Sequence, residues 1–542
     1  GTVPRELHGE WALDGDIAPG RYRAGFGALG AALARTSPGE ILIADQLVQR
    51  PDLFETLGDW REQLSLQPAS RFDSVNGTKR LQDLYRVKTL AAFGSFSRSE
   101  LAAAGALVDY VELTQKGRLP RIMPPRALGT SEFMAIDAAT RRNLELTVTL
   151  AGERKGSLLS IIDKTRTGAG ARLLASHLSA PLTDPAAIDR RLDMVQYFVE
   201  GERVRQDVRG LLKRCPDMER ALSRLSLQRG GPRDLAALRD GLGLAVDLKA
   251  CLAATNELAG QPTGITDCVE GLGHQGQLLD RLRRALAETL PVYARDGGFI
   301  AAGYAPELDE FRALRDESRR LIANLQSRYV DETGLTSLKI KHNNVLGYFV
   351  EVPAKQGDRV PTGQDAPFIH RQTMANAVRF STVELSDLES AIGRAADQAV
   401  ALELSMFDDL LGEVLGHMDA IAATARAMAG LDVGSGLAAL AVERRYVRPF
   451  VDSGMELEIS GGRHPVVEAA LSERNEASFI ANDCHLGGGE SEHGGGRLWL
   501  LTGPNMAGKS TYLRTVGINY VLAMTGAPVL ADSFVFTPVQ LF

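Results

Sequence analysis

Hydrophobic and polar positions along the chain fall into successive blocks with different periods. Over residues 1 to about 130, short apolar runs alternate with helical stretches. GALGAALARTSPGEILIADQLV reads as a helix, a Ser-Pro-Gly turn, then a buried strand at Ile41-Leu42-Ile43. That alternation predicts an α/β domain over 1–130. From 131 to about 333 the leucines recur at helical spacing, with a break at Gly230-Gly231-Pro232. Toward the end of this block, Leu308, Phe311, Leu314, Leu321, Ile322, Leu325 and Tyr329 mark one stripe of a long helix. Arg, Asp and Glu fill its other positions, so most of that helix should be solvated. Residues 334–384 change period: SLKIKHNNVLGYFVEV alternates apolar and polar residues about a turn at Asn343-Asn344. Helical spacing returns over about 385–432, within a block ending near 440. A β insertion between two long helices predicts an arm with a small module at its tip. The last block, 441–542, reads as α/β, and GGGESEHGGG at 487–496 as a flexible surface turn.

One segment of the last block carries chemistry. Gly503-Pro504-Asn505-Met506-Ala507-Gly508-Lys509-Ser510 fits G-x-x-x-x-G-K-[ST], followed by Thr511. Arg497-Leu498-Trp499-Leu500-Leu501 before it is expected to be a strand, and STYLRTVGINYVLAMTG after it a helix closed by Gly526. Glycines let the backbone curl so that its N–H groups point inward, and the helix N-terminus adds partial positive charge. Lys509 is then placed for the β- and γ-phosphates, and the Ser510 hydroxyl for Mg²⁺. Nucleotide binding is expected. Hydrolysis needs a further acid at the end of a second strand. After residue 510 only Asp532 is acidic and no apolar strand precedes it, so this chain by itself should bind ATP weakly and hydrolyse it poorly if at all. Asp45 follows an apolar run in another block and reads as an ordinary strand end.

Length and charge narrow the picture further. A chain of 542 residues exceeds what one core supports, so several domains are expected. No run reaches the roughly 18 apolar residues of a membrane span, and no membrane partner is expected. Cys215, Cys251, Cys268 and Cys484 have no paired spacing, so the expected setting is a reducing cytoplasm. Net charge is −7, which argues against a uniformly basic coat. Residues 339–380 depart from this, with Lys339, Lys341, Lys355, Arg359, Arg371 and Arg379 against Glu351, Asp358 and Asp365. Such a patch suits sequence-independent phosphate binding, and Asn376 adds a neutral donor. The chain starts at Gly1 and ends just after the strand-like FVF, so a fragment is expected, with uncertain continuity over 1–20.

The loop is more specific than its generic pattern. TGPNMAGKST resembles the ATPase signature of the MutS family of DNA mismatch-repair proteins, with Ala507 where many members have Gly. MAIDAATRRNLEL (134–146), RDGGFIAAGYAPELDEFRAL (295–314), LGYFVEV with HRQTMANAVRF (370–380), and GRHPVVE (462–468) with FIAND (479–483) resemble family segments in family order.

The resemblance implies an α/β connector (1–130), a mainly helical core and lever (131–333 and 385–440), an inserted β clamp (334–384), and a truncated ABC-type P-loop ATPase domain (441–542). It also implies Phe479 stacking on adenine, with ATP and Mg²⁺ as cofactors. Arg371, Asn376 and Arg379 become the leading DNA contacts, beside Lys339 and Lys341. Implied partners are mismatched duplex DNA, a second copy of the chain and MutL, in a bacterial cytoplasm on the nucleoid. ATP would convert a mismatch-bound state into a sliding one, with the long helices of 308–330 and 385–432 as the two-state element. The family's mismatch reader carries a Phe-x-Glu wedge. The two FVE runs here, 198–200 and 349–351, read instead as core and strand, so the reader is not expected in this chain. His464 is expected to order a turn, and His485, His493 and Cys484 lack metal spacing. The alternatives are a mismatch-independent DNA clamp acting in recombination and an unrelated P-loop ATPase. The second would carry much longer coiled coils or a membrane partner, and lack PNM in its loop.

Overall fold

The computed structural model describes residues 22–117, 119, 122–125, 132–254, 260–343, 346–363, 366–454, 456–474, 478–487, 499–504 and 508–539. The chain divides into two compact units, one of Gly1–Gln228, Asp240–His274 and Asp419–Phe542, the other of Arg229–Arg239 and Gln275–Met418.

In the first unit the helix Tyr22–Thr36 leads into β1 (Ile41–Ala44), which pairs in parallel with β2 (Leu64–Gln67). Leu29, Leu33, Ile43, Leu53 and Leu57 close a small core behind the pair. Two further helices, Ser74–Tyr85 and Arg98–Thr114, cross at Gly77 and Gly105. A Cβ on Gly105 would lie 2.2 Å from the Gly77 Cα, so glycine is what lets the two backbones meet. Asp45, at the end of β1, is exposed and accepts a local hydrogen bond from Gln46.

The helical body of this unit is organised by a buried carboxylate. Asp432 sits mid-way along the helix Met418–Arg444 and is fully buried. Its oxygens accept from the Arg166 and Thr167 amides at 2.8 Å and from the Thr167 hydroxyl at 2.7 Å. Thr167 in turn caps the helix Gly168–Ser179 by accepting from the Gly170 amide. The carboxylate therefore faces the positive end of that helix. Burial raises the Asp432 pKa, and the Thr167 hydroxyl opposes that rise. Phe198 of the first FVE run is buried in the helix Pro185–Glu200.

The single helical stretch expected over 385–432 is two helices, Val383–Gly416 and Met418–Arg444. The break falls at His417 (φ −103°, ψ 13°), whose ring and amide both bond to the Glu413 carbonyl and close the first helix. The second helix continues to Arg444 through Gly434 and Gly436, which stand where neighbours crowd the Cβ position. A Cβ on Gly434 would come 2.8 Å from the Met194 sulfur, and one on Gly436 3.3 Å from the Lys164 backbone. This helix is long and apolar enough to cross a membrane, but 83% of that stretch is buried inside the protein. It is a core helix.

The second unit holds the strand module. Between the helices Pro306–Thr333 and Val383–Gly416 lie β3 (Lys339–Asn343), β4 (Gly347–Pro353), β5 (Ile369–Thr373) and β6 (Ala377–Ser381). They form one antiparallel sheet in the order β3-β4-β6-β5. The predicted hairpin forms as β3–β4, with the Asn343 side chain accepting from the Leu346 amide; Asn344 lies outside the described residues. One sheet face (Val350, Val352, Val378, Phe380) packs with Leu325, Tyr329 and Leu385 from the two helices. Farther along the same helices Glu403, nearly fully buried, accepts from the Gly298 amide and the Arg312 guanidinium. The long helix is anchored at Leu308, Leu325 and Tyr329, while Leu321 is 40% exposed, so its middle is solvated as its pattern predicts.

In the last block, β7 (Phe450–Val451), β8 (Glu456–Gly462), β9 (Asn482–Gly487) and β10 (Ser533–Phe536) form a sheet in the order β7-β10-β8-β9. The strand expected at 497–501 is not found where it can be seen. Arg497 and Leu498 lie outside the described residues, as does most of the 487–496 turn. Trp499, Leu500 and Leu501 are 44%, 86% and 41% exposed, and none of the described strands pairs with them. A strand exists through its ladder, and apolar character without a neighbour does not make one. Asp532 stands immediately before β10 rather than at the end of a strand.

Candidate functional site

The glycine loop ends where its sequence says it should. Gly508 (φ +80°) is the N-cap of the helix Lys509–Met524, and no side chain caps that end. No acidic residue occupies the first turn, so the exposed amide end keeps its partial positive charge. Gly503 (φ +146°) sits at the other end of the loop, in a conformation that favours glycine. The Lys509 ammonium donates across the loop to the Gly503 carbonyl. Gly503, Pro504, Gly508 and Ser510 are exposed, and Lys509 and Thr511 half-buried; Asn505, Met506 and Ala507 lie outside the described residues. An uncapped helix start with a lysine folded back to Gly503 fits a polyphosphate, and the exposed Ser510 hydroxyl fits a Mg²⁺ ligand.

The helix that carries the loop is held rigidly. Asn519, fully buried, donates to the Arg463 and Thr515 carbonyls at 3.0 and 2.9 Å and accepts from the Leu530 amide at 2.8 Å. Tyr512 donates to the Asp483 carbonyl at 3.0 Å, which ties β9 to the first turns of the helix. Phe479 lies half-buried just before β9 and makes no ring contact among the described residues. The structure thus joins the Phe479 segment to the loop helix through β9. Asn519 and Tyr512 escaped the sequence reading. A lone Asn in an otherwise apolar helix is the signal that could have found the first.

His464 caps the helix Pro465–Glu473, its Nδ1 accepting from the Val467 amide at 3.4 Å. Burial, and then the charge of Arg514, lowers its pKa to about 4. It is neutral when folded and acts structurally, as its motif suggested. Between pH 6.5 and 4 the unfolded chain takes up a proton there that the folded chain does not, so stability falls as pH falls. The expected loss is at most about 1.4 kcal/mol per pH unit. Urea unfolding at pH 7.5 and 5 checks this: His464→Asn, which keeps a capping side chain, should flatten the pH dependence. An unchanged slope would assign it to other groups. His485 lies 3.6 Å from Glu458, His493 is outside the described residues, and no His/Cys/Asp/Glu group among the described residues could hold a metal.

The basic candidates of the sheet divide into two sets. Register puts Lys339 opposite Glu351, and Glu351 opposite Arg379, on the face away from the core. Glu351 accepts from Lys341 at 2.7 Å and from Arg379 at 3.1 Å, and their bonds hold its carboxyl below the usual range, Lys341 most strongly. Arg379 is further fixed by Gln372 and by lying 4.5 Å above the Phe349 ring. Phe349 and Glu351 of the second FVE run therefore build the sheet. Lys339 and Arg371 are exposed and have no acidic partner among the described residues. Arg371 occupies the bulge of β5 between His370 and Gln372, and Asn376 the exposed turn into β6. Of the other charges in the patch, Lys355, Asp358 and Arg359 are exposed and Asp365 lies outside the described residues. The counter-ion role of Glu351 was missed: the hairpin register sets it opposite Lys339, but its bonds run to Lys341 and Arg379.

Three family models match this chain: MutS domain II over residues 22–123, MutS domain III over 139–438 and MutS domain V over 499–542. Among curated proteins it is similar to the DNA mismatch repair protein MutS of Rhizobium meliloti (strain 1021), 49% identical over 520 residues, covering 94% of this chain and 56% of that protein. The protein of the same name from Rhodopseudomonas palustris (strain BisB5) is 49% identical over 534 residues, 95% of this chain and 57% of the relative. That of Bradyrhizobium sp. (strain ORS 278) is 49% identical over 511 residues, 94% and 55%. The chain spans a little over half the length of the curated relatives it matches.

Proposed function

The chain belongs to the MutS family, and from that premise we propose that it serves DNA mismatch repair, gripping duplex DNA through its strand module and switching that grip with ATP. The observation that carries the reading is the glycine loop at the uncapped start of the Lys509–Met524 helix, within a chain matched in order by three MutS domain models. Gly503 to Thr511 would cradle the phosphates, with Lys509 on the β- and γ-phosphates, Ser510 on Mg²⁺ and Phe479 against the base. The bound nucleotide supplies the free energy of the switch; the chain's residues hold and orient it. The last block then takes the ABC-type ATPase fold, in a homodimer that works with MutL on the bacterial nucleoid.

On the DNA side, Lys339 and Arg371 offer cations that no carboxylate among the described residues neutralises, and Asn376 is an exposed neutral donor of the same sheet module. Lys341 and Arg379 share Glu351 and serve first to hold the sheet face in shape. Duplex binding measured from 50 to 200 mM salt tests this arrangement. Removing Lys339 and Arg371 together should weaken binding uniformly across sequences and reduce the log–log salt slope by roughly 0.9 for each. Lys509→Ala should leave that slope unchanged. A double variant with the wild-type slope would remove the sheet from the DNA interface.

A further inference from the structure

The far end of the loop helix is gripped by the helical body. A helix end leaves carbonyls without intrahelical partners and carries partial negative charge. Here the Thr525 carbonyl accepts from the Arg191 guanidinium at 2.9 Å, and the Met524 carbonyl from the Leu182 amide at 2.8 Å. Gly526 (φ +73°) closes the turn against the same helix. A Cβ there would come 2.5 Å from the Arg191 Cβ and 3.1 Å from the Ile188 carbonyl. The flanking carboxylates Asp189 and Asp193 are taken by Arg448, at 3.3 and 2.7 Å. The described hydrogen bond of Arg191 is thus to the end of the loop helix. Burial lowers its pKa to about 10, so it remains charged at neutral pH.

Between these two ends stands one uninterrupted helix of 16 residues, about 24 Å long, braced internally by Asn519. Its amino end carries Lys509 and the loop; its carboxyl end rests on Arg191. A displacement at the phosphate end cannot be absorbed within so short and regular a helix. Where the helix moves as a unit the displacement reaches Thr525, and either the body follows or the Arg191 bond lengthens.

We infer that Arg191 is a positioning residue that couples nucleotide at the glycine loop to the helix Pro185–Glu200 of the body, through the Thr525 carbonyl. This rests on the reading of the loop as a nucleotide site and adds the joint through which occupancy is read. The test uses the 542-residue chain. Titration with a fluorescent ATP analogue and Mg²⁺ gives binding, and amide hydrogen exchange over residues 182–200, with and without the analogue, gives coupling. The wild-type chain should show exchange there slowed at least about fivefold by nucleotide. Arg191→Lys, which can still donate to a single carbonyl, should keep most of that response. Arg191→Met should bind the analogue and lose it. A purely structural arginine would lower stability in Arg191→Met yet leave the nucleotide response intact, and that result overturns the inference. So does a wild-type chain that binds nucleotide with no change over 182–200, a result that needs no variant to fold. A wild-type chain that binds no nucleotide at all would instead bring down the reading of the loop, and this inference with it.

Discussion

Lys509→Ala should cost this chain about a hundredfold in affinity for Mg-ATP. The side chain reaches across the loop to the Gly503 carbonyl and has no acidic partner among the described residues. It can exchange one neutral acceptor for charged phosphate oxygens without breaking an ion pair. Two charge-assisted hydrogen bonds at roughly 1.5 kcal/mol each give about 3 kcal/mol, close to a hundredfold in Kd. Little stability should be lost, because the wild-type contact lies at the surface. Titration with a fluorescent ATP analogue and a urea unfolding curve on the same preparation separate the two effects. In the complete protein the same change should abolish ATP-driven release from DNA while leaving mismatch binding in place. Unchanged nucleotide affinity, or release that persists, would mean that the loop is not the phosphate cradle.

Asp432→Ala should have the largest effect on stability. Its carboxylate accepts from two backbone amides and a hydroxyl, at a fully buried site that joins two helices far apart in sequence. Truncation leaves the buried Thr167 amide and hydroxyl without an acceptor, at about 1–3 kcal/mol each where water cannot enter, and frees the part-buried Arg166 amide as well. A loss of about 4 kcal/mol is expected in urea unfolding followed by circular dichroism, a large part of a typical domain's total. Asp432→Asn, which keeps one acceptor oxygen, should lose less. Gly170→Ala should act on the same joint, because its new Cβ would lie 2.3 Å from an Asp432 oxygen. A loss under about 1 kcal/mol for Asp432→Ala would show that the Thr167 cap stands without it.

These two predictions mark what could be read in the sequence. The loop was legible because G-x-x-x-x-G-K-S fixes backbone shape and charge within a few residues, and Gly508 and Gly526 bracket the following helix as expected. The β3–β4 hairpin was legible for the same local reason: a period of two reverses at Asn343. The bond between Asp432 and Thr167 was not, since nothing near either residue announces a partner 265 positions away. The break at His417 was hidden because the apolar period runs through it, and Gly434 and Gly436 look like helix breakers until their neighbours are seen. Trp499 to Leu501 misled in the opposite direction, since apolar composition says nothing of whether a strand will find a partner. At the sheet, net charge could be counted along the chain. Only the side-chain bonds of Glu351 to Lys341 and Arg379 separated that pair from Lys339 and Arg371.

Service in mismatch repair is tested most directly by the spontaneous mutation rate of the organism that carries this gene, before and after its deletion. Deletion should raise base substitutions and single-nucleotide frameshifts, a rise reversed by the complete gene and not by the same gene with Lys509→Ala. An unchanged mutation rate, with altered recombination in its place, would contradict it and assign the chain to a clamp that holds DNA without reading mispairs.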